Sequence, residues 1–183
     1  MISSIRFSRL LAQLLKAASG AAVGDGKVNL SASNERKLLL LDKNVGNNYL
    51  VQAEITVNSL SNGQKIALVY GYENENNFGL AYPTSDGYGK IELCGGKSAA
   101  GEKSYQLFDG QPISEGQTLT LTAVCRGGKK VAFFVDGMLV SEGELEDGYN
   151  KRGLVGVSAR GADISLESFI VRSADEYKGD FLV

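Results

Sequence analysis

From about residue 25 to residue 172, apolar side chains return at every second position in short runs that end in Gly, Asn, Asp or Ser. A spacing of two puts alternate side chains on opposite faces of a strand, so this pattern commits the chain to β-structure. In Tyr49–Val57 the residues Val51, Ala53, Ile55 and Val57 face one way, and Gln52, Glu54 and Thr56 the other. Gln117–Arg126 repeats the device, with Leu119, Leu121, Ala123 and Cys125 inward and Thr118, Thr120 and Thr122 outward. Only 2 Pro interrupt the chain, whereas 23 Gly supply tight turns.

Further strands are expected over Lys27–Ala32, Lys37–Asp42, Lys65–Tyr72, Phe78–Tyr82, Tyr88–Cys94, Lys103–Phe108, Lys129–Val135, Met138–Glu144, Leu154–Arg160 and Asp163–Arg172. Turns are expected at Ser59–Gly63, at Asp136-Gly137 and at Gly161. About a dozen strands without helices between them imply an all-β, two-sheet antiparallel sandwich, with a closed barrel as the alternative. Cys94 and Cys125 each end a strand, and the pattern fits two buried thiols or one disulfide.

The N-terminus reads differently. Residues 1–24 hold Arg6, Arg9 and Lys16 and no acid, which leaves 16 basic against 21 acidic residues in the remainder. Between Ser3 and Ser19 there is no Gly or Pro. Arg6, Arg9, Gln13 and Lys16 share one helical face, and Phe7, Leu11, Leu14 and Ala18 share the opposite one, flanked by Leu10 and Leu15. The expectation is an amphipathic α-helix, with Phe7, Leu10, Leu11, Leu14 and Leu15 as an assembly face against sister chains or a larger scaffold. A targeting peptide, a membrane-surface helix, or a helix packed on its own domain are the competing readings. The expected organisation is an N-terminal arm over 1–24, a sandwich over 25–174 and a tail over 175–183.

Several chemistries are excluded by what is absent. Without His there is no Ser–His or Cys–His nucleophile pair and no His-ligated zinc. Without Trp the favoured stacking platform for sugar rings is missing. No basic stripe in the β-region points to nucleic acid, and no apolar run is long enough for a transmembrane helix.

Three stretches taken in order carry a family resemblance. Tyr49–Val57 followed by Ile66–Tyr72 and Asn76–Leu80 resembles the early strands of concanavalin A-like jelly rolls. Phe133–Val140 resembles their late hairpin, and Gly153–Val157 with Ile164–Val171 their closing strands. The likeness covers roughly residues 27–173 and is nearest to laminin G-like and related lectin and glucanase modules. It implies a jelly-roll sandwich that binds glycans, supports assembly or hydrolyses glycosidic bonds.

Retaining hydrolases of this fold place acids at alternate positions of one strand, and Glu142, Glu144 and Glu146 have that spacing. The run follows the Asp136-Gly137 hairpin, the wrong place in the family's order, and its central acid is Glu rather than Asp; a solvated edge strand is the better reading. Laminin G-like modules often hold calcium, for which Glu73, Glu75, Asn76 and Asp86 offer hard oxygens. A sugar site would draw on Tyr72, Asn76, Asn77, Tyr82, Tyr88 and Tyr149. The expectation is a non-catalytic binding or structural module, without an obligatory cofactor, that assembles through its N-terminal helix. A phage, virion or secreted surface component would suit it. A glycan-binding lectin module is the alternative, and a glycoside hydrolase comes third.

Overall fold

A computed structural model describes residues 3–5, 15–17, 21–24, 27–41, 44–93, 97–98, 100–105, 113–127, 129–145 and 153–176. Among the described residues fourteen strands follow one another: β1 Ser3–Ile5, β2 Leu15–Ala17, β3 Ala21–Gly24, β4 Lys27–Ala32, β5 Lys37–Leu41, β6 Tyr49–Asn74, β7 Asn77–Pro83, β8 Gly89–Leu93, β9 Lys97–Ser98, β10 Ala100–Ser104, β11 Thr118–Arg126, β12 Lys130–Val135, β13 Met138–Glu144 and β14 Leu154–Ser173. A short 3-10 turn, Ala174–Glu176, follows β14. All pairings are antiparallel.

Two strands run through both layers of a sandwich. In the first layer the order is β10-β13-β12-β11, then the N-terminal half of β6, the C-terminal half of β14, β4 and β3. In the second, β9-β8-β7 leads to the C-terminal half of β6, the N-terminal half of β14, β5 and β2. Hydrogen bonding therefore joins every strand into one network although the body has two faces in contact. The approach is close: a Cβ on Gly89 of β8 would stand 2.5 Å from Val140 of β13.

Alternation dictated by the sequence fills the space between the layers. Val28, Leu30, Val51, Ala53, Ile55, Leu121, Phe133, Ile164 and Phe169 from one layer meet Leu39, Ile66, Leu68, Tyr70, Ala81, Ile91 and Val157 from the other. The first half of β6 is buried at alternate positions, with Glu54 and Asn58 in solvent; the second half is buried on both sides from Ile66 to Gly71.

The expected turns at Ser59–Gly63 and Gly161 do not end strands. Both are bends at which β6 and β14 stay paired, with register shifts near residues 160–162. Gly63 (φ +74°) and Gly161 (φ +60°) take the left-handed backbone that these bends need. The two bends meet: Ser61 Oγ donates to the Gly161 carbonyl at 3.0 Å, and the Gly161 N–H donates to the Ser33 carbonyl at 2.6 Å. Thus β4–β5, β6 and β14 pass between the layers at one corner.

The N-terminal expectation is corrected where the structure speaks. Ser3–Ile5 pairs with β14 and Leu15–Ala17 with β5, so at these described positions the expected Ser3–Ser19 helix is replaced by strand. Leu15, assigned above to a helical assembly face, lies in a strand; Phe7, Leu10, Leu11 and Leu14 lie outside the described residues. Sheet pairing competes with a helix-period pattern whenever an open strand edge is near in sequence, and β4 and β5 offer such edges. Most of the expected tail, residues 177–183, also lies outside. Among the described residues no helix is long and apolar enough to cross a membrane.

Candidate functional site

The outward face of the first layer carries small polar groups in ladders, in which Asn29, Asn58 and Ser165 share hydrogen bonds of 2.6 and 2.8 Å and Thr56 bonds both Thr118 and Glu167 at 2.9 Å, beside an apolar cluster of Leu50, Val124, Ala132 and Phe134. The second carries a further apolar cluster of Leu40, Ala67, Val69, Phe78, Leu80 and Tyr82, bordered by Leu38, Tyr72 and Leu154. On this floor stands a group of charged and phenolic side chains.

Register explains how they meet. Leu80 of β7 faces Glu92 of β8, and Tyr82 faces Lys90, so all four share one face. Tyr82 Oη donates to Glu92 Oε2 at 2.6 Å. Lys65 of β6 reaches the same carboxylate at 3.2 Å, and its Nζ lies 4.4 Å from the centre of the Tyr82 ring. Arg36, just before β5, places its guanidinium 5.5 Å from the centre of the Phe78 ring, and Phe78 lies 5.6 Å from Tyr72 at a tilt of 39°. Each cation thus rests on an aromatic face.

These contacts set the protonation states. Burial alone would raise the Glu92 carboxyl, but hydrogen bonds from Tyr82 and Lys65, with the charges of Lys65 and Arg36, outweigh it and hold the group below the ordinary carboxylate range. Tyr82 is pushed well above the ordinary phenol range by burial first, and then by its bond to Glu92. At neutral pH Glu92 is therefore a carboxylate and Tyr82 a phenol, a fixed acceptor and a fixed donor.

The expected sugar residues do not converge. Tyr82 lies in this group, and Tyr72 reaches its border through Phe78. Asn76 and Asn77 belong to the β6–β7 hairpin, where the Asn76 N–H donates to Asn74 Oδ1 and Asn77 Nδ2 donates to Glu73 Oε2, both at 2.9 Å. Tyr88 is exposed in the turn at the other end of β7, its N–H bonded to Thr84 Oγ1 at 3.0 Å. Tyr149 lies outside the described residues. Lys65, Glu92 and Arg36 did not figure in the expected set. The available signal was a charge at an outward-reading position of two strands whose alternate residues are apolar.

The calcium candidates are also kept apart. Glu73 and Glu75 lie before β7 and Asp86 after it, and seven residues of strand separate them by on the order of 20 Å. Asp86 accepts a hydrogen bond from Thr84 Oγ1. Among the described residues no three ligating side chains form a metal-binding group. Glu142 accepts from Tyr105 Oη at 2.9 Å, Glu144 faces Lys130, and Glu146 lies outside the described residues. Their strand is not the edge that was expected, because β10 pairs beyond it. Cys125 is a free, buried thiol, pushed up to about 12 by burial; Cys94 lies outside the described residues.

No family model matches the chain and no curated protein matches it by sequence. Solved structures do match by shape. The carbohydrate-binding module CBM66 from Bacillus subtilis superposes with a TM-score of 0.70 at 16% identity, over 87% of this chain and 96% of that one. This is an all-β antiparallel sandwich in keeping with the concanavalin A-like jelly roll. A protein of unknown function with a galectin-like fold, also from Bacillus subtilis, gives 0.70 at 9% identity over 94% and 98%. The carbohydrate recognition domain of Emp47p gives 0.62 at 12% identity over 94% of each chain. Structures named as putative glycosyl hydrolases share the fold as well.

Proposed function

We propose that this domain is a non-catalytic glycan-binding module whose site is the outward face of the second layer around Tyr82, Glu92 and Lys65. The observation that carries the reading is the Tyr82–Glu92–Lys65 group itself. It gathers a phenol, a carboxylate and an ammonium on a sheet face, oriented by one another at 2.6 and 3.2 Å. Sugars are recognised by such fixed acceptors and donors, because each hydroxyl both gives and takes a hydrogen bond. Neighbours of the same shape named as a carbohydrate-binding module and a carbohydrate recognition domain lend support.

A hydrolytic role finds less. Of the spaced acids, Glu142 is engaged by Tyr105 and Glu144 stands opposite a lysine. The narrower kinship with laminin G-like modules and a calcium ion on Glu73, Glu75 and Asp86 form no part of this proposal. Assembly through the N-terminal segment, in a virion or elsewhere, draws on no described contact.

The test is a glycan array followed by titration calorimetry on any hit. Glu92→Gln and Tyr82→Phe are expected to weaken binding by about tenfold, the loss of one charge-assisted hydrogen bond. Folded variants that bind as the parent does, or a parent that binds no glycan, would sink the reading.

A further inference from the structure

The outward face of the second layer is cationic, although the β-region as a whole is acidic. Register places Arg160 of β14 beside Lys65 of β6, and Lys90 of β8 beside Tyr82 of β7. With Arg36 seated on Phe78, four cations stand on this face; Glu92 stands among them, and the charge of Glu102 also reaches Tyr82 from beside β8. Arg36 and Arg160 are exposed, while Lys65 and Lys90 are half-buried. Lys65 is paired with Glu92, and Arg160 donates Nε to the Asn34 carbonyl at 3.0 Å. Arg36 makes no ion pair with a described residue; it sits on the Phe78 ring, and its charge is felt by Glu92 and Tyr82.

The aromatic groups are not offered as open platforms. Tyr82 is 7% exposed beneath the Lys65 ammonium, and Phe78 is 4% exposed beneath the Arg36 guanidinium. A neutral sugar that binds by stacking on a ring would find these faces taken. What reaches solvent is a set of cationic heads, two of them held in place by rings. A guanidinium fixed at its face and free at its edge presents paired N–H donors to a planar anion.

We infer that the ligand of this face is an anionic glycan, one whose sugars carry carboxylate or sulfate groups, with Arg36 as the principal anion contact. Arg36 would take the charged group bidentately, Lys90 and Arg160 would add attraction from the rim, and the Glu92 carboxylate would accept a neighbouring hydroxyl. The inference rests on the glycan-binding reading above and names the class of sugar.

Affinity electrophoresis of the full chain in polygalacturonate, dextran sulfate and neutral dextran gels tests it, with single-stranded DNA as a polyanion of another class. The expected result is retardation by polygalacturonate, by dextran sulfate, or by both, which identifies carboxylate or sulfate as the group read. Retardation should weaken about tenfold or more in Arg36→Gln and by a smaller factor in Lys90→Gln. It should also fall as sodium chloride is raised, because exposed charges are screened. Arg36→Lys should recover only part of the binding, since an ammonium keeps the charge and loses the fork. Arg36 is exposed and Lys90 half-buried, and a melting curve for each variant reports whether it is folded. Binding confined to neutral glycans and unaffected by Arg36→Gln overturns this inference while leaving the glycan reading in place. Equal retention by DNA, charge for charge, overturns it in favour of unselective polyanion binding. No retention by any glycan overturns both.

Discussion

Glu92 occupies a strand position where its neighbours Ile91 and Leu93 are buried, and its charge is kept by Tyr82 and Lys65. A carboxyl whose folded pKa lies below its unfolded value binds fewer protons when folded. Its stabilising contribution is therefore complete above the unfolded value, about pH 4.3, and is lost as pH falls through the lower folded value. Glu92→Gln should cost roughly 1–3 kcal/mol at pH 7. The gap from the parent should narrow below about pH 4 in urea melts; a gap constant with pH would mean that charge plays no part. Cys125 gives a second measurement. Its thiol is buried and pushed up to about 12, so in a Cys94→Ser background it should react with a thiol reagent only as fast as the protein opens. Tyr82 was legible as a site residue because a phenol joins an apolar ring to a polar tip. Its partners were not, because Lys65 and Glu92 are separated by 27 residues and only register brings them together.

At the scale of elements, period two located most strands closely. The expected Lys27–Ala32 and Met138–Glu144 are the observed spans, and Gln117–Arg126 differs by one residue. The same reading split β6 and β14, because Ser59–Gly63 and Gly161 have turn composition. Composition reports that a chain bends; it does not report whether a partner bends with it. Here both strands bend together at one corner, so pairing survives. Gly161 is the tightest point of that corner: a Cβ would stand 2.9 Å from Ser61 Oγ at φ +60°. Gly161→Val should destabilise by roughly 1–3 kcal/mol from backbone strain, before any clash is counted. Asn62→Ala, exposed on the same bend, should stay within about 0.5 kcal/mol. Equal urea midpoints for the two variants would show that the corner carries no strain.

For the whole molecule, the question is what the first 24 residues do. The helical pattern of Phe7, Leu11 and Leu14 favoured an arm that recruits other chains, whereas β3 lies along β4 from Ala21 to Gly24 and β2 along β5 from Leu15 to Ala17. The two pictures predict opposite consequences of deleting residues 1–24. An arm leaves the body's stability untouched and lowers the mass in solution. Flanking strands do the reverse: their loss removes several backbone hydrogen bonds, about 2–5 kcal/mol in all. It also bares the edges of β4 and β5, which then pair with other chains. The expected outcome is a lower melting temperature with a light-scattering mass that rises with concentration. An unchanged melting temperature with a smaller mass would return the segment to the role of an arm. The deletion also bears on the site, because β5 follows directly from Arg36. If β2 steadies that strand, the truncated chain should bind glycan more weakly even under conditions in which it remains folded.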